Sequence, residues 1–547
     1  MDARAAADLL AGLTGPVGVA VAPDGFALAH GRQTWVVDGP LGLLTATPAR
    51  LVWWRAATTG RALVAAGVRP RSCWDLAAVA RVLHGRSRED PGAVWAVTRG
   101  LPEPPAARGE LSLLDLDDGH PVGTDGQLSA EWCREQWYGA LDRAARWAAL
   151  ALELQTAQAA RLAALTDPRR QPTGPALATL TAYAESAAAL LAVELGHDGL
   201  PVDRATLVAL LHDAIGPPPD DRARRDAPVL ALTGGGVDLR NPAQVRDLLA
   251  ARGIDVPDTR SWRLEPHRAT SPLVAALLDW RRAERIATTY GYGWVERHVG
   301  ADDRLRGQWT AAEGAGRMTA SAGLHNLPAD LRPAVAARPG HVLVRADLGQ
   351  VEPRVLAVVS GDDALAGAAG EDDMYAPVAV ALGADRPTAK VAVLAAMYGQ
   401  TSGPAGAALQ RMERAYPTAM AFLRAAEEVG REGGELRTWG GRLLHLPGGG
   451  PADDGRHGRY ARNAVVQGAA AELFKVWAVT VRAALPHSIV LCLHDELVLE
   501  VPSDRADDAV AILHRGLTEA SGRWAGGSPV RFLADVAVVP RWSDAKT

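Results

Sequence analysis

Ser488-Ile-Val-Leu-Cys-Leu-His-Asp-Glu-Leu-Val-Leu-Glu-Val-Pro502 sets two apolar, β-prone runs on either side of a short polar centre, His494-Asp495-Glu496. Such runs predict a hairpin with the polar residues at or near its turn. Carboxylates on a rigid, otherwise apolar hairpin are costly unless something positive is bound there. A solvent-exposed turn is the ordinary alternative for a lone Asp-Glu pair, and this stretch by itself leaves both open.

Two upstream stretches belong with it. His341-Val-Leu-Val-Arg-Ala-Asp347-Leu-Gly-Gln350-Val-Glu352-Pro-Arg354 runs an apolar strand into Asp347, after which a helix is expected to start. An acid at a strand end is a common metal ligand; a helix N-cap is the alternative. Arg386-Pro-Thr-Ala-Lys390-Val-Ala-Val-Leu394-Ala-Ala-Met-Tyr398-Gly399 has a spacing of four that places Arg386, Lys390, Leu394 and Tyr398 on one helical face. Pro387 suits the first turn and Gly399 a C-terminal stop. Two cations near a helix N-terminus could grip a triphosphate, helped by the helix dipole. An amphipathic helix with a solvated basic end is the plainer account of that segment taken alone.

In this order and combination the three stretches resemble the family A DNA polymerases, the bacterial DNA polymerase I group. Asp347-Leu-Gly-Gln-Val-Glu-Pro-Arg354 is similar to motif A, Arg386-x3-Lys390-x3-Leu394-x3-Tyr398-Gly399 to motif B, and His494-Asp495-Glu496 to motif C. Gly316-Arg317-Met-Thr-Ala-Ser with Leu324-His325-Asn326-Leu-Pro328 resembles the primer- and template-touching segment ahead of motif A. Arg459-x3-Asn463-x3-Gln467-Gly468-x6-Lys475 resembles the minor-groove segment. Leu239-Arg-Asn-Pro-Ala-Gln244 and Trp280-Arg281 through Tyr290 resemble thumb landmarks, so the likeness covers roughly residues 175–547.

The resemblance implies an α/β (α+β) fold. It is a right-hand polymerase of palm, fingers and thumb, preceded by a small α/β exonuclease-like (RNase H-like) domain. The implied divisions are 1–166 for that domain, 175–300 for the thumb and adjoining helices, and 301–547 for palm and fingers, with the fingers at about 362–450. The implied reaction is template-directed addition of deoxynucleotides to a primer 3′-hydroxyl, in DNA replication or repair. Asp347 and Asp495 would hold two Mg²⁺ ions about 4 Å apart, with Mn²⁺ as the alternative ion, and Glu496 would support them. Arg386 and Lys390 would bind the triphosphate, with Lys390 also placed to protonate the leaving pyrophosphate. Gln350, Glu352, Leu394 and Tyr398 complete the implied nucleotide site: Tyr398 by stacking near the templating position, Glu352 by blocking a ribose 2′-hydroxyl. Arg317, His325, Asn326, Arg354, Arg459, Asn463, Gln467 and His494 are the implied DNA contacts. Of these, Arg317, Asn463, Gln467 and His325 would read the minor groove, which offers similar acceptors for all base pairs.

The chain departs from the family pattern in four places. Leu394 stands for the usual aromatic, which bears on how the sugar is handled. Asp373-Met-Tyr375 stands for Asp-x-His, Leu348-Gly349 for Tyr-Ser, and the Arg317 segment is one residue shorter. In the N-terminal region Trp74-Asp75-Leu76 and Tyr138-x3-Asp142 resemble exonuclease motifs, but Val17-Gly-Val-Ala-Val-Ala-Pro-Asp24 lacks the Asp-x-Glu expected on the opening strand. Two-metal hydrolysis without that pair should be crippled, so a degenerate exonuclease-like domain is expected.

Composition sets outer bounds. Net charge is −5, so a nucleic-acid channel would have to be locally rather than globally basic. Of 58 basic residues only Lys390, Lys475 and Lys546 are lysines, and two of them lie in the motifs. Cys73, Cys133 and Cys492 are far apart, which argues against a disulfide framework or a zinc site and fits a reducing compartment. No signal peptide and no uninterrupted membrane-spanning run are read, so a cytoplasmic, nucleoid-associated monomer is expected, acting on primer-template DNA and deoxynucleoside triphosphates. A DNA-binding scaffold without catalysis, and a nuclease as the main activity, are the competing readings. Retention of Asp347, Asp495, Arg386, Lys390 and Tyr398 as a set argues against the first, the missing Asp-x-Glu against the second.

Overall fold

Strands of period two sort their side chains onto two faces. The computed structural model describes residues 1–85, 88–105, 119–135, 141–399, 404–446 and 454–545. Its N-terminal strands are β1 (Pro16–Ala22), β2 (Gly25–His30), β3 (Gln33–Val37), β4 (Arg50–Trp53) and β5 (Cys73–Asp75). They form one sheet in the order β3-β2-β1-β4-β5, with β1 antiparallel to β2 and parallel to β4, and β4 parallel to β5. Val17, Val19, Phe26, Leu28, Leu51 and Trp53 enter one core; Ala20, Ala22, Ala27, Ala29, Val52 and Trp74 enter the other. The second face is small-residued, so the helix Leu141–Ala163 can lie close: a Cβ on Gly18 would collide with the Ala148 carbonyl. Trp54 stacks on Trp147 with ring centroids 4.2 Å apart, and Trp74 donates to Gln158 at 2.9 Å.

Trp74 lies in β5, and the helix Leu76–His84 starts only after its N-cap Asp75. Trp132–Arg134 form a 3-10 turn, and a helix follows over Leu141–Ala163. Tyr138 and Lys546 lie outside the described residues.

The chain divides into two units: Met1–Asp198 with Gln308–Thr319 and Val344–Val538, and Gly199–Gly307 with Ala320–Leu343 and Val539–Thr547. The second is mainly helical. Its core gathers Val229, Leu239, Val245, Leu249, Leu277 and Trp280. The landmarks singled out in its sequence have local reasons. Asn241 caps the helix Pro242–Ala250, and Arg240 binds Asp226 and Glu284 at 2.8 and 2.6 Å. Trp280 shares Asp226 through a 2.8 Å hydrogen bond. The break at Gly216–Pro219 ends the helix Arg204–Ile215, with Gly216 at φ +82°.

In the first unit a four-stranded sheet follows the order Ile489–Leu493, Glu496–Pro502, His341–Leu348, Ala534–Val539. The long helix Asp454–Ala484 packs on Leu177–Asp198, Pro417–Glu432 and Ala506–Ala525. By length and composition its Gly455–Ala484 portion could cross a membrane, which the sequence reading did not flag; 83% of the apolar window is buried, as in a core helix. Lys475 of this helix is fully buried and binds both oxygens of Glu185 at 2.7 and 2.8 Å. The Asp167–Pro172 loop is pinned from within: buried Arg169 holds Asp167 at 2.6 Å and the Arg523 carbonyl at 2.6 Å.

Candidate active site

The hairpin forms as its apolar runs require. Leu493 pairs with Glu496, which leaves His494 and Asp495 as a two-residue turn. His494 sits at φ +54°, a left-handed conformation uncommon outside glycine and of the kind such turns demand. Asp347 lies one residue from the end of the neighbouring strand, and the Leu348 N–H donates to the Asp495 carbonyl at 2.9 Å. The two expected acids are therefore brought to one edge of one sheet. Asp495 is half-buried; burial, then the charges of Glu496 and Glu352, hold its carboxyl above the usual range.

Arg345, which sequence reading passed over, lies within this acidic group. It is 4% exposed, binds Asp347 through Nη2, and donates from Nε to Glu496 at 2.7 Å. Alternation along the strand was the available signal, since residues 345 and 347 share a face.

The Arg386–Tyr398 helix forms where its caps predict. Asp385 accepts from the Thr388 N–H at 2.9 Å, Pro387 occupies the first turn, and Gly399 ends the helix at φ +66°. Arg386 and Lys390 are exposed, Leu394 is half-buried, and Tyr398 is 37% exposed. Arg386 grips Asp373 at 2.6 and 3.1 Å, and that hydrogen bond chiefly holds the Asp373 carboxyl below its usual range. Gln350, three residues beyond Asp347, donates to the same carboxylate at 2.8 Å. The motif A and motif B segments are thus linked through Asp373, the residue of the departing Asp-Met-Tyr375 triplet.

A second cluster joins Arg317, Glu352, Tyr398 and Gln467. Glu352 pairs with Arg317 and accepts from the Tyr398 hydroxyl at 3.4 Å, and Tyr398 also bonds Gln467. Arg459, Asn463 and Gln467 follow at intervals of four along one face of the long helix, with Arg459 exposed. The Asn463 Oδ1 is buried without a hydrogen-bond partner among the described residues. Gly468 is dictated by space: a Cβ there would meet the Ala315 carbonyl oxygen at 2.9 Å.

Of the expected DNA contacts, one is buried and two belong to the second unit. Arg354 is 1% exposed and spends its guanidinium on the carbonyls of Ala369, Arg531, Glu371 and Asp372 at 2.6–2.9 Å. It braces the segment after the helix Asp363–Ala368 against the Arg531 backbone, and it has no surface for DNA. His325 and Asn326 belong to the second unit, on the 3-10 turn Leu324–Asn326, where Asn326 accepts from Tyr290 at 2.8 Å.

In the N-terminal sheet, Asp75 is 2% exposed and accepts from Trp53 Nε1 at 3.0 Å and from the N–H groups of Ala56 and Ala78 at 2.5 and 2.8 Å. Burial raises its pKa to about 6. Asp142 and Asp24 are exposed, on the first helical turn and on the β1–β2 turn. Val17, Val19 and Ala20 of β1 are buried, apolar and unable to ligate.

Carboxylate oxygens are the donors Mg²⁺ selects, and it commonly takes one or two of them with waters and phosphates completing the shell. Asp347 and Asp495 fit that chemistry, and Glu496 and Glu352 add negative charge beside Asp495, whose carboxyl burial chiefly raises. Among the described residues no group of three or more His, Cys, Asp or Glu could hold a metal ion, so the shell would need oxygens from elsewhere.

Residues 229–544 match the model of the family described as DNA polymerase family A, and the chain belongs to that family. It is 30% identical over 328 residues to the thermostable DNA polymerase I of Thermus filiformis, covering 53% of this chain and 38% of that protein. It is 27% identical over 501 residues to the thermostable DNA polymerase I of Thermus aquaticus, covering 83% of this chain and 57% of that one. The chain thus spans well under two thirds of these relatives. Its fold is that of the POL domain of Pol1 from M. smegmatis, solved with DNA primer-template and dNTP: the TM-score is 0.66 at 19% identity, over 99% of this chain and 98% of that one.

Proposed function

We propose that this chain is a template-directed DNA polymerase that extends a primer 3′-hydroxyl with deoxynucleotides. The observation that carries the reading is the meeting of Asp347 and Asp495 at one sheet edge, tied through Gln350 and Asp373 to Arg386 at the head of a helix. Phosphoryl transfer needs positioning and charge neutralisation more than covalent help, and this set supplies both. The described fold neighbour was solved with primer-template and dNTP, which supports the same partners here.

Asp347 and Asp495 would hold divalent ions, with Glu496 holding the second-line charge. Such ions, Mg²⁺ by preference, lower the pKa of the attacking hydroxyl and neutralise the leaving pyrophosphate. Arg386 would exchange Asp373 for the triphosphate, and Lys390, one turn on, adds a second charge and a proton donor for the pyrophosphate. Tyr398 and Glu352, joined by their hydrogen bond, would face the sugar and the templating position. Arg459, Asn463 and Gln467 would follow the minor groove, whose acceptors need donors from their guanidinium and amide N–H groups. Glu352→Ala should then raise ribonucleotide incorporation relative to deoxynucleotide. The N-terminal sheet acts as packing, its Asp75 being consumed as a cap. Monomeric action in the cytoplasm completes the reading.

The test is single-nucleotide extension of a labelled primer on four templates that differ only in the next base. Incorporation of the complementary nucleotide alone, dependent on Mg²⁺, is expected. Template-independent addition, or none while DNA still binds, would contradict the reading and favour the scaffold.

A further inference from the structure

Arg345 is buried within the acidic group. Its strand places it on the face of Asp347, and its Nε reaches Glu496 at 2.7 Å. Its Nη1 also lies 3.6 Å from Asp535, an exposed acid on the other neighbouring strand. A buried charge is stable only when paired, and three acids surround this one. Guanidinium keeps its charge at any working pH and directs its donors in a fixed fork. Asp347 therefore already accepts from a tethered cation on the oxygen Oδ2. Any divalent ion at this edge must share or take lone pairs that the guanidinium holds, and must approach a like charge within a few ångströms.

We propose that Arg345 is a resident counter-cation of the site: it holds Asp347 and Glu496 in place without metal, weakens divalent-ion affinity, and thereby sets the metal concentration that the site requires. The inference rests on reading Asp347 and Asp495 as the metal-holding pair. Arg345 is a positioning residue, since it acts through Asp347 and Glu496.

Direct Mn²⁺ binding separates the possibilities. The full chain, without DNA, is titrated with MnCl2 by electron paramagnetic resonance, alongside Arg345→Gln, Arg345→Ser, Arg345→Lys and Asp495→Asn. The neutral variants should bind Mn²⁺ about tenfold more tightly than wild type, the gain expected from removing one like charge at a partly screened site. Arg345→Lys, which keeps the charge, should stay close to wild type, and Asp495→Asn should lose the site. The Mg²⁺ concentration for half-maximal primer extension should fall with the same neutral variants. Circular dichroism identifies a variant that fails to fold, and the Ser substitution spares the packing that Gln demands. Equal or weaker Mn²⁺ affinity in the neutral variants, with Asp495→Asn impaired, overturns the competition and leaves the metal reading intact. No Mn²⁺ binding by any of the proteins overturns both.

Discussion

Asp75 and Asp495 are both acids at the end of an apolar strand, and they have opposite fates. Asp75 is enclosed by donors of its own chain: an indole N–H and two backbone N–H groups. Asp495 stands half-buried among other acids, with its carboxyl raised by burial and by Glu496 and Glu352. The first acid has its hydrogen bonding satisfied by the fold and is structural. The second lies beside two further acids, Glu496 and Glu352, where the proposed cation would bind. Strand-end position alone does not make a metal ligand; what decides is whether neighbouring donors have already claimed the oxygens.

The comparison can be broken at several points. The largest effect is expected from Asp495→Ala, which should lower primer extension by at least about 10³-fold with little change in melting temperature. Next comes the buried pair Glu185–Lys475, where an acid is matched by an internal cation. Lys475→Met leaves the buried Glu185 carboxylate to Arg442 alone, at 2.6 Å, and should destabilise the protein by about 2–3 kcal/mol, measured by urea unfolding. Asp75→Ala leaves three buried N–H donors unmatched and should cost about 2 kcal/mol in the same assay, with extension retained by the folded fraction. A loss of extension from folded Asp75→Ala would break the contrast.

The smallest effect is a pH dependence. Burial raises Glu472 from 4.5 to about 7, although Thr438, Arg442 and the Gly440 N–H oppose it. The folded form then keeps a proton that the unfolded form has lost. Stability from this group is full below about pH 4.5 and is lost as pH rises toward 7. Glu472→Gln should flatten that part of the stability profile, read as melting temperature against pH; an unchanged slope would assign the dependence to other groups.

Much of this was legible in the sequence because it is local. Apolar, β-prone runs located the hairpin and the Asp347 strand, and Pro387 and Gly399 bracketed a helix whose ends fall where they predict. Pairings between distant segments were not legible. Nothing around Arg345 announces Glu496, 151 residues away, and nothing around Lys475 announces Glu185, 290 residues away. Arg354 misled for the related reason that a motif fixes a residue type and not its direction: the side chain turns inward to four carbonyls. Asp75 stayed open in the sequence because a cap and a ligand are the same residue at the same strand end, told apart only by the Trp53 and Ala56 donors brought in from β4 and the residues after it.

The most direct measurement places Asp495→Asn and Asp75→Asn side by side in primer extension with Mg²⁺ and four dNTPs, with thermal unfolding of each protein recorded. The account predicts that Asp495→Asn is inactive and folds normally, while Asp75→Asn is less stable and extends the primer. Extension by Asp495→Asn at the wild-type rate would contradict it.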